Sequence, residues 1–275
     1  MNSAAKSVRE LVAFYLDAGV DALVGEEPVD RFADEVPQPP PPAVARSPSP
    51  SPPRAAMESG VAGATSPPAA AVPAVPETAI MAARDAAKSA QNLDELRVLL
   101  EIFEGCMLRA TATQLVFAAG NPEARVMFVG EAPGRDEDIT GIPFVGRSGQ
   151  LLDRMMTAIG LDRTRAYIAN VVPWRPPGNR TPTPQETAIC LPFIRRQIEL
   201  ADPDILVCLG QPATQTLLGT REGITRTRGR WFKFDTGTRE IRAIATYHPA
   251  FLLRSPLQKR LAWRDFLALK KALAG

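Results

Sequence analysis

Four short apolar runs in this chain each end in residues that can do chemistry. Val126–Val129 runs into Gly130-Glu131-Ala132-Pro133-Gly134, then the acids Asp136, Glu137 and Asp138, with Phe144 beyond them. The run before Asn170 leads on to Trp174-Arg175-Pro176-Pro177-Gly178-Asn179-Arg180. A third ends in Gly210-Gln211-Pro212, and a fourth in Tyr247-His248-Pro249, followed by Phe251-Leu252-Leu253-Arg254. A carboxamide both donates and accepts, so Asn170 matches a planar amide edge such as the O4/N3–H edge of a pyrimidine. Phe144 offers a face on which such a ring stacks. The chain has 1 histidine, so any imidazole chemistry falls to His248. Arg221, Arg226, Arg228 and Arg230 precede the fourth run, and Arg254, Lys259 and Arg260 follow it, a local supply of cations for phosphate. A GxxxxGK[ST] phosphate loop, a GxGxxG turn and a serine nucleophile elbow are all missing, which argues against triphosphates, dinucleotides and serine acyl transfer.

These groups need a frame. The pattern predicts strands over 126–130, 166–171, 204–209 and 241–246, alternating with helices over 149–159, 184–200, 212–218 and 259–273. Strands separated by helices imply an α/β fold, a parallel sheet with right-handed crossovers and helices on both faces. All four loops then share one sheet edge, where ligands of open α/β sheets bind. Thr183-Pro184-Gln185-Glu186 is a capping box with proline at the first helical position, and Pro192 should kink the helix it opens. Two helices, from Thr78 to about Ala90 and from Leu93 to Phe103, precede an edge strand at Val116-Phe117.

Composition sets the outer bounds. At 275 residues and a formal charge of +2, the chain is not globally basic, so a nucleic-acid ligand needs a local cationic surface. Residues 1–36 carry an amphipathic helix over 5–25, with Leu11, Tyr15, Leu16 and Leu23 on its apolar side. Its charges Arg9, Glu10, Asp17 and Asp21 exclude a bilayer span, and no apolar leader core follows the first residues. Residues 37–77 are rich in proline, alanine and serine and read as a disordered linker. The N-terminal helix is then either a folded-back surface helix or a segment for a protein partner. Residues 78–275 form the globular domain. The 3 cysteines, Cys106, Cys190 and Cys208, suit a reducing cytoplasm rather than a disulfide framework.

Taken in order, the blocks GEAPGRDED, PFVGRSGQLL, RPPGNRTPTPQE, LVCLG, ITRTRGRW and YHPAFLLR resemble the uracil-DNA glycosylases, family 4 above all, over about residues 100–273. The resemblance implies a three-layer αβα sandwich on a four-stranded parallel sheet of order 2-1-3-4. It also implies a monomer that flips uracil out of single- or double-stranded DNA and hydrolyses its N-glycosidic bond. Carried over by position, Phe144 stacks on the flipped uracil and Asn170 reads its edge. The backbone of Glu131, Ala132 and Pro133 lines the pocket, and His248 donates to O2 as charge builds on the leaving base. Glu137 orients water, Leu253 wedges into the base stack, and Arg254, with Asn179, Arg228 and Arg230, holds DNA. Ala132 stands where the best-known branch of the superfamily has aspartate.

The same resemblance implies a [4Fe–4S] cluster on four cysteines, whose places here are Phe103, Cys106, Trp174 and Cys190. Two large aromatics in place of thiolates predict no iron–sulfur cluster, no metal and no other cofactor, with Phe103 and Trp174 filling the space. Read singly, each residue has a plainer role: His248 as a strand-end histidine, Phe144 as a core plug, Asn179 as a turn residue, the acids and arginines as solvated surface. A silent binder of uracil-containing or abasic DNA is the alternative to an enzyme, and a small-nucleotide hydrolase is a third.

Overall fold

In the computed structural model, residues 77–274 are described; the helix expected over 5–25 and the linker up to residue 76 lie outside them. The described residues open with α1 (Glu77–Ser89), α2 (Leu93–Ile102) and the single turn α3 (Leu108–Thr111). The two-residue strand β1 (Ala119–Gly120) and β2 (Val126–Gly130) come next, then α4 (Arg135–Thr140), α5 (Arg147–Ala158) and β3 (Tyr167–Asn170). The second half contains α6 (Pro184–Ala201), β4 (Ile205–Leu209), α7 (Gln211–Leu218), α8 (Ile224–Thr227), β5 (Trp231–Asp235), β6 (Glu240–Thr246), α9 (Pro249–Arg254) and α10 (Lys259–Ala274).

The sheet has 6 strands in the order β1-β3-β2-β4-β6-β5. Its middle four, β3-β2-β4-β6, are parallel and reproduce the expected 2-1-3-4 arrangement. Every residue of β2, β3 and β4 is buried, as parallel strands covered on both faces must be. Along β2 the side chains alternate between two cores. Met127 and Val129 pack on one face with Leu96, Ile194 and Phe193 from α2 and α6. Val126 and Phe128 pack on the other with Leu152 and Met156 of α5 and Phe266 and Leu269 of α10. These are the layers of a three-layer αβα sandwich.

The differences from the sequence reading lie at the edges. The short antiparallel strand on β3 forms at Ala119–Gly120, not at Val116-Phe117. Gly120 sets its place: at φ +92° a Cβ there would lie 2.1 Å from the Ala166 carbonyl oxygen. At the other edge β5 pairs antiparallel with β6 across a hairpin, where arginine-rich loop was expected. Its alternating exposure, with Trp231 outward and Phe234 buried, is the period-two pattern that marks a strand. The acids 136–138 fall in the short helix α4 rather than a loop.

Candidate active site

At the carboxyl ends of the four parallel strands lies a cavity of about 550 Å³. Glu131 reaches it from β2, Asn170 from β3, Gly210 from β4 and His248 from β6, with Phe144 and Arg254 closing its sides. The centre is built around what Gly130 lacks. A Cβ on Gly130 would lie 2.5 Å from Asn170 Oδ1 and 2.6 Å from Phe144 Cζ, so ring and carboxamide meet over bare backbone. His248 faces Phe144 with ring centroids 5.5 Å apart. Gly210 makes room for the imidazole in the same way, since its Cβ would fall 2.9 Å from His248 Cβ.

Asn170 is 4% exposed and its Oδ1 has no hydrogen-bond partner among the described residues, and neither does Oε1 of Glu131. Two buried acceptors without donors on the wall of one cavity call for donors from a ligand or water. Burial raises Glu131 above the usual carboxylate range, against a weaker opposing hydrogen bond from Thr181. His248 caps α9: its Nδ1 accepts from the Ala250 N–H at 3.1 Å. That bond assigns the ring proton to Nε2, leaving one N–H donor for the cavity. Burial, reinforced by the positive charge of Arg254, lowers His248 to about 4, so the ring is neutral at physiological pH.

The acidic cluster divides by task. Glu137 Oε1 accepts from the N–H groups of Val145 and Gly146 at 3.0 and 2.9 Å, while Oε2 accepts from Gly134 N–H at 3.0 Å. This carboxylate ties the turn after β2 to the loop that carries Phe144, and it also lines the cavity. Asp138 is turned away, accepting from the Thr113 N–H and hydroxyl. Asp136 is exposed.

Of the cations expected on DNA, Arg254 lines the cavity and is exposed. Arg228 is engaged within the fold. Its guanidinium is bonded to the buried Asp265 and to the Leu261 carbonyl, and Asp265 also accepts from Thr246, so Arg228 fastens α10 to the end of β6. Arg230 is exposed, pairs with Glu222 and lies over the Phe232 ring at 5.3 Å. Asn179 sits at φ +56° on the rim and accepts from Arg175 at 2.7 Å. In α9, Leu252 is buried and Leu253 half-exposed, so only the second leucine is free to touch a ligand. Ala132 and Pro133 lie in the cavity wall.

Sequence reasoning passed over Arg163, which has no motif around it. It follows α5, pairs with Asp153 at 2.9 Å, and donates to the carbonyls of Pro143, at 3.1 Å, and Phe144.

The four cluster positions do not fit an iron–sulfur group. Trp174 is 2% exposed among the first core residues, and Phe103 packs edge-on against Phe193 at 5.0 Å. Cys106 and Cys190 are buried; Cys190 draws the Cys106 thiol down, and Cys106 together with burial pushes Cys190 up. Two thiols and two large rings are not four ligands. Cys208 is buried in β4, its thiol pushed up to about 12 by burial.

A cavity of this kind on this sheet defines the class: an α/β protein with a polar-lined cavity at its strand-end crevice. The chain belongs to the uracil DNA glycosylase superfamily, whose family model matches residues 117–267. It is 39% identical over 180 residues to a type-4 uracil-DNA glycosylase of Archaeoglobus fulgidus, covering 64% of this chain and 90% of that protein. The type-4 uracil-DNA glycosylase of Thermotoga maritima is 44% identical over 151 residues, covering 54% and 77%. That of Saccharolobus solfataricus is 38% identical over 188 residues, covering 66% and 87%.

Proposed function

We propose that this chain is a DNA-repair uracil-DNA glycosylase, which flips uracil out of DNA and hydrolyses its N-glycosidic bond to leave an abasic site. The observation that carries this reading is the meeting of Phe144, Asn170 and His248 over Gly130, with Asn170 Oδ1 buried and unpartnered.

Each group then has a task. Phe144 stacks on the extruded base. Asn170 Oδ1 accepts from N3–H while its NH₂ donates to O4. Cytosine offers a donor at N4 and a bare N3, so it leaves both partners unmatched. As the C1′–N1 bond breaks, the electron pair passes to the base, and the neutral His248 donates its Nε2–H to O2 without transferring a proton. Glu137 keeps one lone pair on Oε2 beyond its three backbone bonds. That pair orients the water that attacks C1′ and accepts the proton the water loses, which finally neutralises the departed uracil anion, and the carboxylate's charge favours the cationic sugar. Arg254, Arg230, Asn179 and Leu253 face the DNA. No step runs through a metal or cluster, because Phe103 and Trp174 occupy two ligand places. Action as a monomer in the cytoplasm, with residues 1–36 available to a protein partner, belongs to the same reading.

The test is incubation with a uracil-containing oligonucleotide followed by alkaline cleavage of abasic sites. Product is expected, and Asn170→Ala reduces it at least about a hundredfold, the scale on which loss of a transition-state hydrogen bond acts. No product at any salt concentration removes the enzyme. Ala132, in the place of an aspartate, favours a second reading, a silent binder of uracil-containing or abasic DNA, which predicts a gel shift without product.

A further inference from the structure

Beside the catalytic cavity, between α5 and α10, lies a second opening of about 370 Å³. Its floor is apolar, with Leu151 and Met155, and its rim carries Arg154, Lys259, Arg260 and Trp263. Trp263 is 41% exposed, and Leu257, in the turn that leads into α10, is 86% exposed. Large apolar side chains left in water beside an open groove mark a surface that something covers. None of Arg154, Lys259 and Arg260 enters an ion pair among the described residues.

The groove and the catalytic cavity draw on the same two helices. In α5, Ser148 lines the cavity and Leu151, three residues on, lines the groove; in α9, Phe251 and Arg254 line the cavity while the buried Leu252 lies beneath the groove. Along α5 one helical turn, about 5 Å, separates Ser148 from Leu151. From Leu151 to Ala158 the helix wall runs about 11 Å at 1.5 Å per residue. Two or three stacked nucleotides, at about 3.4 Å each, span that length.

We propose that this groove holds the nucleotides next to the extruded uracil when they are unpaired, one base stacking on Trp263 and the phosphates lying along Arg154, Lys259 and Arg260. The inference rests on the uracil-excising reading of the neighbouring cavity. An indole over an apolar floor, rimmed by unpaired cations, is the chemistry that holds single-stranded nucleic acid without regard to sequence. A protein partner fits less well: its acidic side chains would meet the rim, but nothing in it requires the groove to be built on the same two helices, α5 and α9, as the catalytic cavity. A base in a duplex keeps its faces covered by its neighbours, so only an unpaired flank can use the indole.

The full chain is tested on single-stranded uracil oligonucleotides that extend from the uracil on the 5′ side, the 3′ side or both, and on the matching duplex. With the native chain, one of the two flanks lowers KM about tenfold, the contribution of one base–aromatic stack. Trp263→Ala removes that gain on single strands, leaves kcat unchanged and leaves the duplex unaffected; Trp263→Phe, which keeps a ring, retains it. A flank effect that survives both Trp263→Ala and Arg154→Ala overturns the proposal, and so does a native chain indifferent to flanks. Fluorescence anisotropy with the same strands lacking uracil makes the comparison independently of excision. Failure of the catalytic reading therefore appears as binding without product, and failure of the groove as product without a Trp263 effect.

Discussion

The guanidinium of Arg163 is hydrogen-bonded to the carbonyls of both Pro143 and Phe144, so it holds the segment whose ring lines the cavity. Phe144 sits at φ +55°, a left-handed conformation that costs a bulky residue about 1–3 kcal/mol unless its surroundings hold it. Gly149 in α5 accepts the carbonyl at close range, since a Cβ there would lie 1.8 Å from the oxygen. Asp153 in turn steadies the guanidinium.

Arg163→Ala therefore frees the Phe144 loop. We expect uracil excision, measured as kcat/KM, to fall about tenfold or more, because a misplaced binding group costs rate without touching the reacting atoms. Arg163→Lys keeps the charge but loses the fork that reaches two carbonyls, and should recover only part of the loss. Native activity in Arg163→Ala would show that the loop holds its shape unaided.

Gly130→Ala adds one methyl group at the end of β2. It meets Asn170 Oδ1 and Phe144 Cζ well inside van der Waals contact, so both must retreat. The expected result is excision reduced about a hundredfold, with a stability loss of about 1–3 kcal/mol in chemical denaturation. A folded variant that still excises uracil at the native rate would mean that the ring and the amide need not meet over this glycine.

The parallel sheet was legible because β2, β3 and β4 are continuous apolar runs, and such runs between helical segments have few alternatives. Asn170 and His248 were legible for a related reason: a polar side chain directly after a buried strand stands at the crevice. Arg163 was not, since its role depends on a carbonyl 19 residues away in sequence, and no spacing rule encodes that. Arg228 misled because an arginine in a basic run looks solvated, while its partner Asp265 lies 37 residues further on. The strand β5 was hidden by the same run, although the alternation through Trp231–Asp235 and the turn at Gly237 were there to read.

The neutral state of His248 has a pH signature. With its value lowered to about 4, the ring stays unprotonated from pH 8 down to pH 5, and the rate should not fall there through this group. In the unfolded chain the same histidine titrates near 6.5, so between about pH 4 and 6.5 the unfolded state binds more protons. Stability contributed by the uncharged ring is thus complete above pH 6.5 and lost as the pH falls towards 4. His248→Gln should flatten that part of the curve of Tm against pH, while the native chain keeps the slope. Equal slopes in the two proteins would show that the histidine titrates normally.

Trp174 tests the reading of the cluster positions. It is 2% exposed and lies in the same buried core cluster as Cys106 and Cys190, so it belongs to the core by packing. Trp174→Ala should cost about 3–5 kcal/mol in urea denaturation, as expected for a large ring removed from a close-packed interior. If a metal held this region instead, stability would depend on the two thiols and on chelators more than on the indole. The native chain is expected to show no iron-dependent visible absorbance, and to keep both its midpoint and its excision rate after prolonged chelation. Stoichiometric iron whose removal lowers the midpoint would reverse the assignment. Cys106→Ser and Cys190→Ser separate the cases further: a small loss of stability with unchanged excision follows from packing, whereas collapse of both variants follows from ligation.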